Sequence, residues 1–225
     1  FEIDLQVLSG EEEASMTFLA ARRWYGWSSG RLLMVDIGGG SLELAVGVNE
    51  SPDVALSLPL GALRLTKDHL EGDPYSKKSL RRLTDFVDTQ IAEVLPTILQ
   101  HQESDRSIGT SKTLRTIARL CGDWLQDDAK EIKADSLRRI LPRLCEMTEE
   151  DRRDLEQGRR CDVPAAQVRA AVLAAHRSIS GPQGGGRLGL PLLHQRQLDT
   201  RGVPPGSQVA AAAPQDHNGG SPMWE

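Results

Sequence analysis

The chain has 225 residues, 26% charged, 39% apolar and 4% aromatic, with a net charge of −5. That composition fits one or two ordinary domains, and the acidic balance argues against general nucleic-acid binding. No stretch approaches the roughly 18 apolar residues of a membrane span, nothing reads as a signal peptide, and Cys121, Cys145 and Cys161 lack zinc or disulfide spacing, so a reducing cytoplasm is the expected compartment.

Residues 3–8 read as a strand leading into Ser9, the expected N-cap of a helix that runs to about residue 25 with Glu11, Glu12 and Glu13 in its first turn. Met16, Leu19 and Ala20 recur at helical spacing and are expected to pack inward. After a turn at residues 26–30, the apolar run 32–35 predicts a buried strand ending at Asp36. Gly38, Gly39, Gly40 and Ser41 follow, and then Leu42, Leu44, Val46 and Val48 alternate with Glu43, Ala45 and Gly47, the period of a second strand. A third strand is expected over 54–60, then a short helix from Gly61 to about residue 70 and a turn at 71–74. A long amphipathic helix over 76–100 turns Leu80, Leu83, Phe86, Val87, Ile91 and Leu95 inward, with a kink or end at Pro96. A short strand at 107–109 precedes a helix over 113–120. Two more helices cover 135–147 and 148–155, capped by Asp135 or Ser136 and by Thr148. Strands with helices between them make an α/β fold.

The segment of residues 35–43 carries the most chemistry. Glycine lets a turn be tight and lets its N–H groups approach a ligand without a Cβ in the way, and successive N–H groups form a donor site for phosphate oxygens. Asp36 stands at one rim of this turn and Glu43 at the other. Glu43 faces away from Leu42 and Leu44 and need not be buried in their core. Two carboxylates repel a phosphate unless a cation intervenes, and Mg²⁺ is the usual answer. The plainer alternative is a glycine-rich hairpin whose acids are solvated. Gly109, Thr110, Ser111 and Thr113 form a second candidate phosphate loop before a helix, with an N-cap carrying two hydroxyls as the equal alternative. Lys112 reads as a cation for polyanions or as a solvated side chain, and Arg64 as a phosphate contact or, in preference, a helix-surface ion pair. The five histidines show no pairing.

Four motifs, in order, resemble the exopolyphosphatase / guanosine pentaphosphate phosphatase family. Residues 7–14 are similar to its SGxEEA segment, and residues 36–43 to DIGGGSxE. Residues 57–66 are similar to SLPLGAVRLT, and 109–113 to GTSGT, with Lys112 where many relatives have glycine. The resemblance implies a two-lobed fold of the actin, Hsp70 and sugar-kinase superfamily, this chain supplying the ribonuclease H-like second lobe. It implies Glu13 as the acid that activates water, Glu43 as the group that orients it and Asp36 as the Mg²⁺ ligand. Gly38, Gly39, Ser41, Gly109, Thr110 and Ser111 would bind phosphate. The reaction implied is hydrolysis of the terminal phosphoanhydride of polyphosphate or guanosine pentaphosphate. The rival reading is a guanosine-polyphosphate-binding regulator with little turnover. A homodimer is compatible with either.

The expected divisions are 1–25, a remnant of the first lobe with the interlobe helix; 26–157, the second lobe; and 158–225, a low-complexity tail. Family members begin with a longer first lobe, so the chain is expected to be inactive alone, with Phe18, Leu19, Trp24 and Trp27 uncovered. In residues 158–225, Gly and Pro make up 17 of 68 residues and the net charge turns from −8 to +3. Two accounts stand for this tail: a reading-frame error near residues 156–160, or a disordered extension.

Overall fold

The computed structural model describes residues 7–101, 104–151 and 189–191. Helix α1 (Gly10–Tyr25) opens with a capping box: the Ser9 hydroxyl accepts from the Glu12 N–H and the Glu12 carboxylate accepts from the Ser9 N–H. A hairpin of β1 (Leu32–Ile37) and β2 (Leu42–Gly47) follows, then β3 (Val54–Leu58). Next come α2 (Ala62–His69), α3 (Lys77–Leu99), β4 (Arg106–Gly109) and α4 (Lys112–Leu125). The described chain closes with β5 (Glu131–Lys133), α5 (Ala134–Glu146) and β6 (Gly189–Pro191).

The main sheet has the order β3-β2-β1-β4, with β1–β2 and β2–β3 antiparallel and β4 parallel to β1. This is the expected α/β, ribonuclease H-like arrangement. Alternation along the strands divides the core into two layers. Leu32, Met34, Ala45 and Ile108 meet Ala14, Phe18 and Ala21 of α1 on one face. Val35, Ile37, Leu42 and Leu44 meet the layer that contains α2, α3, α4 and α5 on the other. The sheet is therefore a sandwich filling between α1 and the remaining helices. No described helix is long and apolar enough to cross a membrane.

The register of α1 corrects the expected inward face. Met16 is 58% exposed, and Ala14, Phe18, Ala21 and Arg22 point at the sheet. The small residues Ala14 and Ala21, about two turns apart, let the helix lie close, and Phe18 between them fills the gap they leave. Phe18 is thus a core residue rather than an uncovered one, whereas Trp27 is 64% exposed. Arg22, only 1% exposed, ties the end of α1 down. Its guanidinium donates to the carbonyls of Gly30 at 2.7 Å and Gly47 at 3.0 Å and to the Ser29 hydroxyl at 3.0 Å. The sequence reading missed this clamp.

Smaller differences have local causes. The third strand stops at Leu58, because Gly61 is already the N-cap of α2. Helix α3 runs three residues past Pro96, which sits in its last turns. Helix α4 continues past residue 120 to Leu125. Helix α5 starts from Lys133 rather than from Asp135 or Ser136, and the Ser136 hydroxyl instead donates to the Asp127 carboxylate from inside the helix. Thr148 does cap the next turn: its hydroxyl accepts from the Asp151 N–H at 3.2 Å, and residues 149–151 are helical. The strand expected at 3–8 falls largely on residues outside the described set, and Val7 and Leu8 are not in a strand. Of the expected tail, only Gly189–Pro191 is described, and it pairs antiparallel with β5; neither strand was foreseen. The boundary at 157 also lies outside the described residues.

Candidate functional site

Strand parity gathers the acids. In the β1–β2 register Asp36 stands opposite Glu43, and in the β2–β3 register Glu43 stands opposite Ser57. These three alternate with the core residues that face α3 and α4, so they lie on the α1 side of the sheet, at its end. The N-terminus of α1 comes down on the same spot. A Cβ placed on Gly10 would lie 2.3 Å from the Ser57 Cβ, so only glycine permits this approach. Glu13, in the first turn, is thereby brought within electrostatic range of both Asp36 and Glu43. Sequence spacing could not show this convergence, since it depends on where α1 docks.

Glu43 is only 2% exposed. It does avoid the core of Leu42 and Leu44, as expected, but α1 covers the other face, so it is buried all the same. The Ser57 hydroxyl donates to its Oε1 at 3.2 Å. Burial pushes the Glu43 carboxyl up and the nearby Glu13 adds to this, while hydrogen bonds from Ser41 and Ser57 pull it back. Asp36 is pushed up to about 6, first by burial and then by repulsion from Glu43 and Glu13; the hydrogen bond from Thr110 and the charge of Arg115 act in the opposite direction. Among the described residues no three His, Cys, Asp or Glu side chains cluster closely enough to hold a metal ion by themselves.

The glycine turn links β1 to β2 and rests on α2. The carbonyl of Gly38 accepts from the Ala62 N–H at 2.9 Å, and that of Gly39 accepts from Leu63 and Arg64 at 3.0 Å each, so the turn caps α2. Gly61 makes this contact possible, since a Cβ there would fall 2.2 Å from the Gly40 carbonyl carbon. The three glycines of the turn have a different explanation. None has a positive φ, and a Cβ on Gly40 would meet no protein atom within 4 Å. Of the two reasons read from the sequence, a tight turn and close approach by a ligand, neither φ nor packing around Gly40 supports the first. Gly39 and Gly40 are exposed. The Gly38 N–H donates to the Ser41 carbonyl at 3.0 Å and is spent inside the turn, which removes Gly38 from the expected phosphate donors.

The second loop is a structural tie. The Ser111 hydroxyl accepts from the Leu114 N–H at 3.2 Å as the N-cap of α4, and from the Ile37 N–H at 3.3 Å across the sheet end. The Thr110 hydroxyl donates to the Asp36 carboxylate, and the Thr110 N–H donates to the Val35 carbonyl at 3.2 Å. The N-cap reading of this loop is thus the one observed. Gly109, Thr110 and Ser111 are buried, the Thr110 hydroxyl holding Asp36 and the Ser111 hydroxyl the neighbouring Ile37, while Lys112 at the start of α4 is exposed. Sequence reading missed Arg115, whose signal was a cation close behind a helix N-cap. It missed Ser57 and Gly61 as well, although both lie in one of the matching motifs.

The structure is thus an α/β lobe with an exposed glycine turn at the sheet end and three carboxylates converging beside it. The family model described as the Ppx/GppA phosphatase family matches residues 1–176, past the boundary read at 157. The chain belongs to that family. It is 45% identical over 181 residues to Exopolyphosphatase 1 of Mycobacterium tuberculosis, covering 79% of this chain and 52% of that protein. With Exopolyphosphatase 1 of Mycobacterium leprae the identity is 42% over 181 residues, covering 79% and 53%. Among solved structures, an exopolyphosphatase from Cytophaga hutchinsonii superposes with a TM-score of 0.68 at 19% identity, covering 88% of this chain and 66% of that one. The Aquifex aeolicus Ppx/GppA family member gives 0.65 at 19% identity, covering 83% and 59%. The chain spans about half the length of the curated relatives it matches.

Proposed function

We propose that this lobe serves an enzyme that hydrolyses the terminal phosphoanhydride of a phosphate chain, inorganic polyphosphate or guanosine pentaphosphate. The observation that carries the reading is the glycine turn: its exposed Gly40 answers to no positive φ and no protein neighbour, which fits close approach by a ligand, and three carboxylates converge beside it. The relatives named exopolyphosphatase favour polyphosphate as the substrate.

The donors suit Mg²⁺, which takes one or two carboxylates and keeps several waters. Asp36 would hold it, with Glu43 opposite, and the mutual repulsion of these acids is what a divalent cation offsets. When bound, the ion would neutralise charge on the phosphoryl oxygens. The N–H groups of Gly39, Gly40 and Ser41 would receive those oxygens. Glu43, held by Ser41 and Ser57, would orient the attacking water. Glu13, on the open side of the acid cluster, would take its proton. General-base help of this kind is worth about 10²–10⁴ in rate.

The test is Glu13→Gln in the longest natural form of the protein. Turnover should fall by at least about tenfold with folding intact. Near-normal turnover in a folded variant would remove Glu13 from the reaction.

A further inference from the structure

We propose that Arg64 and Lys112 form a phosphate-chain subsite: two exposed cations, across the glycine turn from the acids, that hold phosphates beyond the reacting one. The inference rests on the phosphoanhydride reading above. Both residues belong to helices that begin against the turn. Arg64 is the third residue of α2, and its N–H donates to the Gly39 carbonyl at 3.0 Å, so its backbone is fixed to the turn itself. Lys112 opens α4 directly after Ser111, whose hydroxyl accepts from the N–H of Ile37, the residue before Gly38. Side chains on a helix lean toward its N-terminus, which in both helices is the end beside the turn.

The two sides of the turn differ in charge. Asp36, Glu43 and Glu13 gather on the α1 side of the sheet, whereas α2 and α4 share the layer on its other face. Arg23, Arg31, Arg82 and Arg138 each pair with a carboxylate. Among the described residues Arg64 has no such partner, not even Asp68 one turn along α2, and Lys112 has none either; both side chains are exposed. The ion pair expected for Arg64 is therefore not formed. A phosphate chain carries charge on every unit, and one divalent ion facing three carboxylates cannot offset all of it. Fixed, exposed cations beside the reacting position offset the remainder and draw a polyanion in.

The test uses Arg64→Gln, Lys112→Gln and the double variant in the longest natural form of the protein. Lys78→Gln, an exposed lysine in the first turn of α3, is the control for loss of charge alone. Each single change should raise KM for phosphate release from polyphosphate about threefold or more, and the double change about tenfold, with kcat altered less than about twofold. The rise should be largest at low salt, as for any exposed electrostatic contact. Melting temperatures should stay within about 2 °C of the parent, since neither side chain has a protein partner to lose. A marked drop would make the two residues structural ties and overturn the proposal. So would a double variant with KM within about twofold of the parent, an equal rise in Lys78→Gln, or a fall in kcat at unchanged KM. The second arm needs no turnover, because these cations act on the chain without the metal ion. Binding of fluorescently labelled polyphosphate in chelator should weaken about tenfold in the double variant and hold in Lys78→Gln. If the parent releases no phosphate but shows that loss of binding, the hydrolase reading fails and the subsite stands. Equal binding by parent and double variant overturns the subsite whatever the turnover.

Discussion

Asp36 illustrates how far a single residue could be read. Its place at the rim of a glycine turn was visible from the apolar run before it and the glycines after it. Its neighbours were not, because Glu13 reaches it only through the docking of α1 and Thr110 only through the parallel pairing of β4 with β1. Burial, with repulsion from Glu43 and Glu13, raises the carboxyl to about 6, above the ordinary aspartate value, against the downward pull of the Thr110 hydrogen bond. The native state therefore binds a proton more readily than the unfolded chain between the unfolded pKa near 4 and the folded value. Over that window stability falls as pH rises, and above it the full destabilisation persists. In chelated buffer at pH 7, Asp36→Asn should accordingly melt higher than the parent, by roughly 2–4 °C for each kcal/mol recovered. The gain should shrink as the pH is lowered toward 4. An Asp36→Asn variant that is less stable at pH 7, or a gain that does not depend on pH, would contradict the burial and repulsion described here. Glu43 carries the opposite lesson. Alternation correctly took it off the core of Leu42 and Leu44, but could not reveal that a helix covers the other face.

At the scale of elements, the hairpin, the short helix after Gly61 and the long amphipathic helix were legible because periodicity and capping are local properties. The α1 face was not, since Met16 and Leu19 are as apolar as the residues that do pack, and the choice falls to the shape of the sheet beneath. Strands β5 and β6 are three residues each, too short to leave a period. The glycines separate into two kinds with different expected outcomes. Gly61→Ala forces a Cβ into the backbone of the glycine turn, and should destabilise the protein by about 1–3 kcal/mol, the usual range for overpacking. Gly40→Ala meets no protein atom within 4 Å and should leave the melting temperature within about 2 °C of the parent, as surface substitutions do, while reducing phosphate release. Melting curves and an activity assay on both variants check this pair. Equal destabilisation of the two, or full activity in Gly40→Ala, would mean that the turn is shaped by packing and not by a ligand.

Across the whole molecule, one layer of the sandwich is a scaffold and the other is a lid with a task. The layer of α3, α4 and α5 carries most of the apolar core. Helix α1, which among the described residues covers this face by itself, is clamped by Arg22 at one end and seated on Ser57 through Gly10 at the other, and brings Glu13 to the sheet end. In the proposed reading the acids would hold a Mg²⁺ that neutralises a phosphate chain and the glycines would position it, which is most of what phosphoryl transfer asks of a protein. The central claim is therefore Mg²⁺-dependent phosphoanhydride hydrolysis. Its most direct test is the release of inorganic phosphate from polyphosphate, measured with Mg²⁺ and with chelator, on the chain and on the longest natural form of the protein. The account predicts release by the longest form that requires Mg²⁺ and shortens the polymer from its ends. No release in either condition, or release that chelation leaves untouched, would contradict it.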